Sequence, residues 1–452
     1  MESYDVAVIG GGPAGYSAAL KAAERGAKVA LIEAEKPGGA CVHHACIPTN
    51  ILLASTHTFI EARELDVMGV LETGERINFA RAAARKDALV QQVAEGIIAA
   101  LRMRKVIPVK GRASFRDPHT LEVSGADDVW ADAIVIATGT RWEPPAISGI
   151  PPERVLTADA VQSLPTPPAS ALILGDGPAD TAFALEYATL LAAARSEVTV
   201  ATTRERLLPG LDAALADVAR ATLTDLGVNV LEGATILGGE GDSMRVRNGG
   251  EDAIVPAEII VAADPRKPFF EPLQLEAADV FADGCIPVDR SCRTNVPHIF
   301  AAGDVTGGVM LTNAAMHMGE VAGANAAGGE AVTRLSRVPH LLHTFPELAW
   351  IGLTEEQATA EGYDVSTGVF DLSYNARAVA LGARTGMVKV VADRELGEVL
   401  GVHLAGPAAS EMLAVATAVM QAEIPLADLA AIVFWHPSVS EGLVEAAKRA
   451  LS

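Results

Sequence analysis

The chain uses one local pattern twice: an aliphatic strand running into closely spaced glycines and then into an alanine-rich helix. The first copy is Val6–Ile9, then Gly10-Gly11-Gly12-Pro13-Ala14-Gly15 and a helix through Glu24. A second strand, Val29-Ala30-Leu31-Ile32, follows and ends in Glu33. The second copy starts near Ala171, turns at Gly175-Asp176-Gly177, continues as a long Ala/Leu helix and closes with the strand Val198-Thr199-Val200. Such a unit folds as part of a parallel sheet, its helix crossing back over one face. Glycines allow the tight turn and let a pyrophosphate approach the free N–H groups of the helix N-terminus. Gly10, Gly12 and Gly15 have that spacing, and Glu33 stands where a ribose hydroxyl is gripped. The pattern predicts two doubly wound, Rossmann-like domains.

Between the copies, Asn78 to Met103 reads as a polar helix, Asp117-Pro118-His119 as the turn of a strand pair, and Ala133–Thr140 as a buried strand ending in a tight turn. Pro144–Pro152 and Pro165–Pro168 read as linker, and Ile299–Ala302 as a strand ending in Gly303-Asp304. From about Val338 the character changes to α+β, with strands at Met387–Val391 and Val399–His403 turned by Asp393 to Glu398. The expected division is 1–147 and 268–336 for the first nucleotide-binding domain, 148–267 for the second, and 337–452 for a C-terminal α+β domain. Among 452 residues, 50% are hydrophobic and only 4% aromatic, so the core is aliphatic. A net charge of −22 excludes nucleic acid and anionic membrane surfaces as partners, since phosphates are repelled. No leader is visible before Val6, and the apolar run Ala182–Ala194 is broken by Glu186, so the expected location is cytoplasmic.

Four cysteines in such a chain make no secreted disulfide framework. Cys41 and Cys46, just after Gly38-Gly39, pair only if the intervening turn brings their α-carbons within roughly 7 Å. A helix N-terminus would acidify such a thiol. The residues by themselves also admit buried structural cysteines, or a metal held with His43 and His44. Cys285 and Cys292 read as packing residues.

The stretch Gly38-Gly39-Ala40-Cys41 to Cys46-Ile47-Pro48-Thr49 resembles the redox-active motif of the pyridine nucleotide–disulfide oxidoreductases, nearest their dihydrolipoamide dehydrogenase branch. The resemblance extends through Ala137-Thr138-Gly139, Thr294-Asn295-Val296-Pro297 to Ala302-Gly303-Asp304, Thr344-Phe345-Pro346-Glu347, Gly352-Leu353-Thr354-Glu355 and His436-Pro437-Ser438-Val439-Ser440-Glu441. It implies FAD at the first fingerprint and a Cys41–Cys46 disulfide. Cys41 is then the interchange thiol and Cys46 the thiol against the flavin. Asp304, with Thr138, Gly139 and Gly303, holds FAD. His436 is the acid–base group, oriented by Glu441 and reaching the other subunit's disulfide, so the resemblance implies a homodimer. It implies no structural metal.

Departures from the family pattern gather on the nicotinamide side. Asn50 replaces a lysine near the flavin. After Gly175 and Gly177 the third glycine position is Asp180, whose charge opposes a pyrophosphate. A second alignment inserts four residues and matches Ala184-Leu185-Glu186 to the family's Gly-x-Glu. Thr202 replaces the ribose-binding acid, Arg204 and Arg206 follow, and Pro265-Arg266-Lys267-Pro268 replaces Gly-Arg-x-Pro. His43, His44, Phe434 and Trp435 alter the substrate walls. The leading reading is a thiol–disulfide oxidoreductase moving electrons between a small or carrier-bound dithiol, FAD and NAD(P)H. The alternative is a flavin-dependent dithiol oxidase that uses no nicotinamide. A non-catalytic flavoprotein ranks last, because Cys41, Cys46, His436 and Glu441 are all present.

Overall fold

In the N-terminal strand Glu2–Ile9 the run Val6–Ile9 is buried on both faces, and its parallel neighbours explain why. In the computed structural model, which describes residues 2–63, 77–176, 182–262, 266–383 and 385–452, it lies between Val29–Glu33 and Val129–Ile136. Ile107–Lys110 extends the sheet on one side, Ile299–Ala301 pairs in parallel with Val129–Ile136, and the hairpin Ala113–Asp117/Thr120–Val123 completes seven strands. Alternation sorts the side chains. Val6, Val8, Leu31 and Val135 pack under the alanines of helix Pro13–Glu24, while Ala7, Ile9, Ile134 and Ile136 face Phe115, Leu121 and Leu273. Helix Thr312–Ala326 crosses helix Pro13–Glu24 in near backbone contact: a Cβ on Gly319 would lie 2.1 Å from the Ala14 carbonyl oxygen. Glycine is required there because nothing larger fits.

The chain divides into two compact units. This sheet belongs to the unit of Met1–Ile51, Ala83–Glu143 and Pro265–Leu335, and the other unit comprises Leu52–Ala82, Pro144–Asp264 and Ser336–Ser452. The second unit holds a parallel five-stranded sheet in the order Asn229–Leu231, Glu197–Ala201, Ser170–Leu174, Ile259–Ala262, Val155–Thr157. A three-stranded antiparallel sheet spans Thr235–Pro256. The C-terminal part is a five-stranded antiparallel sheet, His340–Leu342, Glu347–Gly352, Val399–Gly406, Met387–Asp393 and Val365–Asp371, backed by helices Ala409–Gln421 and Glu441–Leu451. Two doubly wound sheets and a C-terminal α+β region are the architecture expected from the sequence. Among the described residues no helix is long and apolar enough to cross a membrane.

After strand Ser170–Leu174 the described residues stop at Asp176 and resume at Ala182, in helix Ala182–Ala193. Gly177 and Asp180, like Pro265, lie outside the described residues.

A buried ionic cluster joins the parallel sheet's helix Ala213–Asp225 to the C-terminal sheet. Asp212 caps that helix, accepting from the Ala214 N–H at 3.1 Å. Lys389 Nζ lies 2.8 Å from Asp212 Oδ2 and 2.8 Å from Glu355 Oε2. His403, opposite Lys389 in the sheet register, is fully buried, with Nε2 at 3.0 Å from the Leu353 carbonyl oxygen. Burial pushes the His403 imidazole's pKa down, only partly offset by Asp212. An unfolded histidine titrates near 6.5, so as pH falls through that value the unfolded chain takes up a proton the fold refuses, and stability drops. The thermal midpoint is therefore expected to fall between pH 7.5 and 5.5, and to fall less in a His403→Gln variant.

Candidate active site

The first glycine turn forms a cradle with open donors. Helix Pro13–Glu24 begins at Gly12 with no side-chain cap, so its first-turn N–H groups remain available. A Cβ on Gly10 would lie 2.4 Å from the Ala137 carbonyl oxygen, which holds the turn against the strand that leads to Thr138. Glu33 Oε2 accepts the Gly11 N–H at 2.6 Å and Oε1 accepts that of Glu35 at 2.6 Å. Thr138 Oγ1 is buried with no protein partner, a polar atom that calls for a ligand. Gly139 has φ of 70° with open space around it, and Gly303 has φ of 80° against Ala14. Asp304 is partly buried beside them; desolvation raises its pKa, opposed by Arg266 at 3.0 Å and Thr140 at 3.4 Å. Arg266 also donates to the Met310 carbonyl at 3.0 Å. A helix N-terminus without a cap, an unpartnered buried hydroxyl and a gripped carboxylate fit FAD.

Cys41 sits in the short helix Gly39–His43, and Cys46 opens helix Cys46–Arg63. His44 ends the first helix with φ of −135°, which supplies the broken turn the pair needs. Both cysteines are thiols here. The Cys41 thiol is pushed far up by its hydrogen bond to Cys46, by burial and by the charge on Cys46. Cys46 stands at the N-terminus of helix Cys46–Arg63, the position at which a helix favours a thiolate. Thr312 Oγ1 lies 3.3 Å from Cys46 Sγ. The Tyr16 phenol is raised, first by burial and then by the charge of the cysteine pair. His43 Nε2 is 2.9 Å from the Pro37 carbonyl oxygen, and His44 points outward. Among the described residues no cluster of histidine, cysteine or carboxylate is arranged to hold a metal ion. Asn50 is exposed on the Cys46–Arg63 helix and lines a cavity with Ile47, Ile51, Leu89, Gln92 and Val93.

His436 and Glu441 meet. His436 Nδ1 is 2.9 Å from Glu441 Oε1, and Glu441 Oε2 accepts the Ser438 N–H at 2.9 Å. Those two bonds, the backbone one first, lower the Glu441 pKa. The carboxylate thus fixes the ring, leaving Nε2 for chemistry. The His436 side chain is 75% exposed, and Trp435 (82%) and Val433 (95%) stand beside it.

The second glycine turn is closed by its own side chains. Asp176 Oδ1 accepts from Thr202 Oγ1 at 3.0 Å, from Thr203 Oγ1 at 2.9 Å and from the Thr203 N–H. Glu186 is fully buried, accepting the His343 N–H at 2.9 Å, and burial raises its pKa.

Comparison with known proteins places these features. Residues 4–319 match the model of the pyridine nucleotide-disulphide oxidoreductases, and residues 338–447 match that family's dimerisation domain. The chain belongs to this family. It is 36% identical over 451 residues to a dihydrolipoyl dehydrogenase of Bacillus subtilis, covering 98% of this chain and 97% of the relative. It is 35% identical over 460 residues to that of Thermus scotoductus, covering 99% and 97%. Among solved structures it resembles the HOCl-induced flavoprotein disulfide reductase RclA from Escherichia coli, with a TM-score of 0.86, 27% identity and coverage of 98% of this chain and 99% of that one. This family member is an FAD-dependent disulfide oxidoreductase with a C-terminal dimerisation domain.

Sequence reasoning missed Thr312, and it placed Arg266 with the nicotinamide-side departures. The structure places Arg266 on the flavin-side carboxylate Asp304, some forty positions away in sequence, which no local motif signals. Thr312 lies 266 positions from Cys46. A hydrogen bond to a charged acceptor contributes about 1.5–3 kcal/mol, or about 1–2 units of thiolate pKa. Thr312→Val is expected to move the pH at which the reduced protein shows its thiolate–flavin band upward by about that amount, checked by spectrophotometric pH titration.

Proposed function

We propose that this protein is a dihydrolipoamide-dehydrogenase-like enzyme, passing electrons between a dithiol, its Cys41–Cys46 pair, FAD and a nicotinamide nucleotide. The observation that carries the reading is the cysteine pair itself, Cys41 in helix Gly39–His43 and Cys46 opening the next helix with Thr312 Oγ1 at 3.3 Å from its Sγ. One substrate thiol gives its proton to His436 and attacks Cys41 Sγ of the disulfide. The Cys41–Cys46 bond breaks and Cys46 leaves as thiolate. The second substrate thiol then displaces Cys41 from the mixed disulfide, and Cys41 takes that thiol's proton. The substrate leaves as a disulfide, two electrons have passed to the cysteine pair, and one proton remains on His436. FAD, when bound, relays those electrons to the acceptor.

The exposed His436, Trp435 and Val433 on a dimerisation domain support a homodimer in which a second copy covers them and His436 serves that copy's cysteines. The expected segments 1–147 with 268–336, 148–267 and 337–452 are retained as the flavin, nucleotide and interface parts.

One observation favours the oxidase reading: Asp176 ties up Thr202 and sets a negative charge at the turn where a pyrophosphate would lie. Steady-state assays with dihydrolipoamide separate the two. The leading reading expects reduction of NAD or NADP. Oxygen uptake with peroxide release, and no nicotinamide reduction, would replace it with the oxidase.

A further inference from the structure

The loop that carries His436 is tied to a distant part of the chain by one side chain. Asn375 is buried between the turn Leu372–Tyr374 and the short helix Ala376–Ala380. Its Nδ2 donates to the Ser438 carbonyl at 3.0 Å, while its Oδ1 accepts the Arg377 N–H at 3.0 Å and the Ala378 N–H at 2.9 Å. Two N–H donors on one side and a carbonyl on the other fix which way the amide faces. Ser438 is thereby held at both backbone ends, its N–H by Glu441 and its C=O by Asn375. The other oxygen of the same Glu441 holds His436. Because the His436 ring is largely exposed, packing within the chain does little to place it, and these bonds do.

From this geometry we infer that Asn375 is a positioning residue for the acid–base histidine: it straps the Pro437-Ser438 turn so that Glu441 can meet His436. The inference rests on the reading of His436 and Glu441 as the acid–base pair. Capping the short helix needs only Oδ1, and aspartate or serine caps as well. The strap to Ser438 needs a donor at the reach of Nδ2; ionised aspartate has no donor, and the serine O–H sits one bond nearer the backbone.

The test compares Asn375→Asp and Asn375→Ser, which keep a capping oxygen, with Asn375→Ala, which keeps neither function. The FAD-loaded protein is mixed anaerobically with dithiothreitol, and the rate of flavin reduction is followed from pH 5.5 to 9, alongside FAD content and thermal midpoint. The Asp and Ser variants are expected to hold FAD and keep a near-normal midpoint. Their reduction should slow by about tenfold or more, as small misplacements of a reacting group do, with the acid limb of the pH–rate profile displaced. Wild-type rate and profile in both, with only Asn375→Ala less stable, would leave Asn375 a mere cap and overturn the inference. If the Asp variant fails to fold, the Ser variant decides. His436→Gln tests the reading beneath: slow His436→Gln with unaffected Asn375 variants overturns the strap alone. An unaffected His436→Gln overturns the acid–base assignment and the strap together.

Discussion

Cys41→Ser is expected to lower dithiol-driven turnover by about a thousandfold or more, a barrier increase of about 4 kcal/mol, while leaving FAD bound. The loss is large because serine cannot form the mixed disulfide, so no second route stands in for the missing covalent step. FAD retention follows from the cradle, which is built from Gly10, Gly12, Glu33, Thr138 and Asp304 and does not include the Cys41 sulfur. The partner change, Cys46→Ser, should remove the long-wavelength band outright, because that position carries the thiolate. Stopped-flow rates and FAD content on the same preparations check both statements. Full activity in Cys41→Ser would end the disulfide mechanism.

Lys389→Met is expected to destabilise the protein by about 3–5 kcal/mol, the usual cost of leaving a buried charge without its partner. Asp212 is almost wholly buried, and Glu355 alone is half exposed, so water can rescue only one of the two carboxylates. Burial works against the Asp212 charge, but His403 and Lys389 win and lower its pKa. The Lys389 amine is raised, its two carboxylates outweighing burial. A depressed carboxylate contributes stability above its unfolded pKa and loses it as pH falls through the folded one, so the cluster fails in acid below about pH 4. Urea unfolding of Lys389→Met, Asp212→Asn and the double variant measures the coupling; additive losses would show that the ion pair contributes nothing.

Much of the first unit was legible because its signals are local. The strand Val6–Ile9, the glycines after it and the alanine-rich helix through Glu24 lie within a few tens of residues, and the structure has the strand at Glu2–Ile9 and the helix at Pro13–Glu24. The polar stretch from Asn78 was readable for the same reason, and the helix runs from Phe79 to Met103. What was not legible depends on chain segments that meet only in the fold. Thr312 reaches Cys46 across 266 positions, Lys389 reaches Asp212 across 177, and Asn375 reaches Ser438 across 63. At the second glycine turn the sequence offered two alignments, and residues 177–181 at that turn lie outside the described residues.

The most direct test is an anaerobic titration of the oxidised yellow protein with a simple dithiol, recording the visible spectrum at each addition. The account predicts that one equivalent raises a long-wavelength thiolate–flavin band with the flavin still oxidised, and that Cys41→Ser shows no such response. Direct bleaching of the flavin with no intervening band, equal in the wild type and in Cys41→Ser, would contradict it, because electrons would then bypass the cysteine pair.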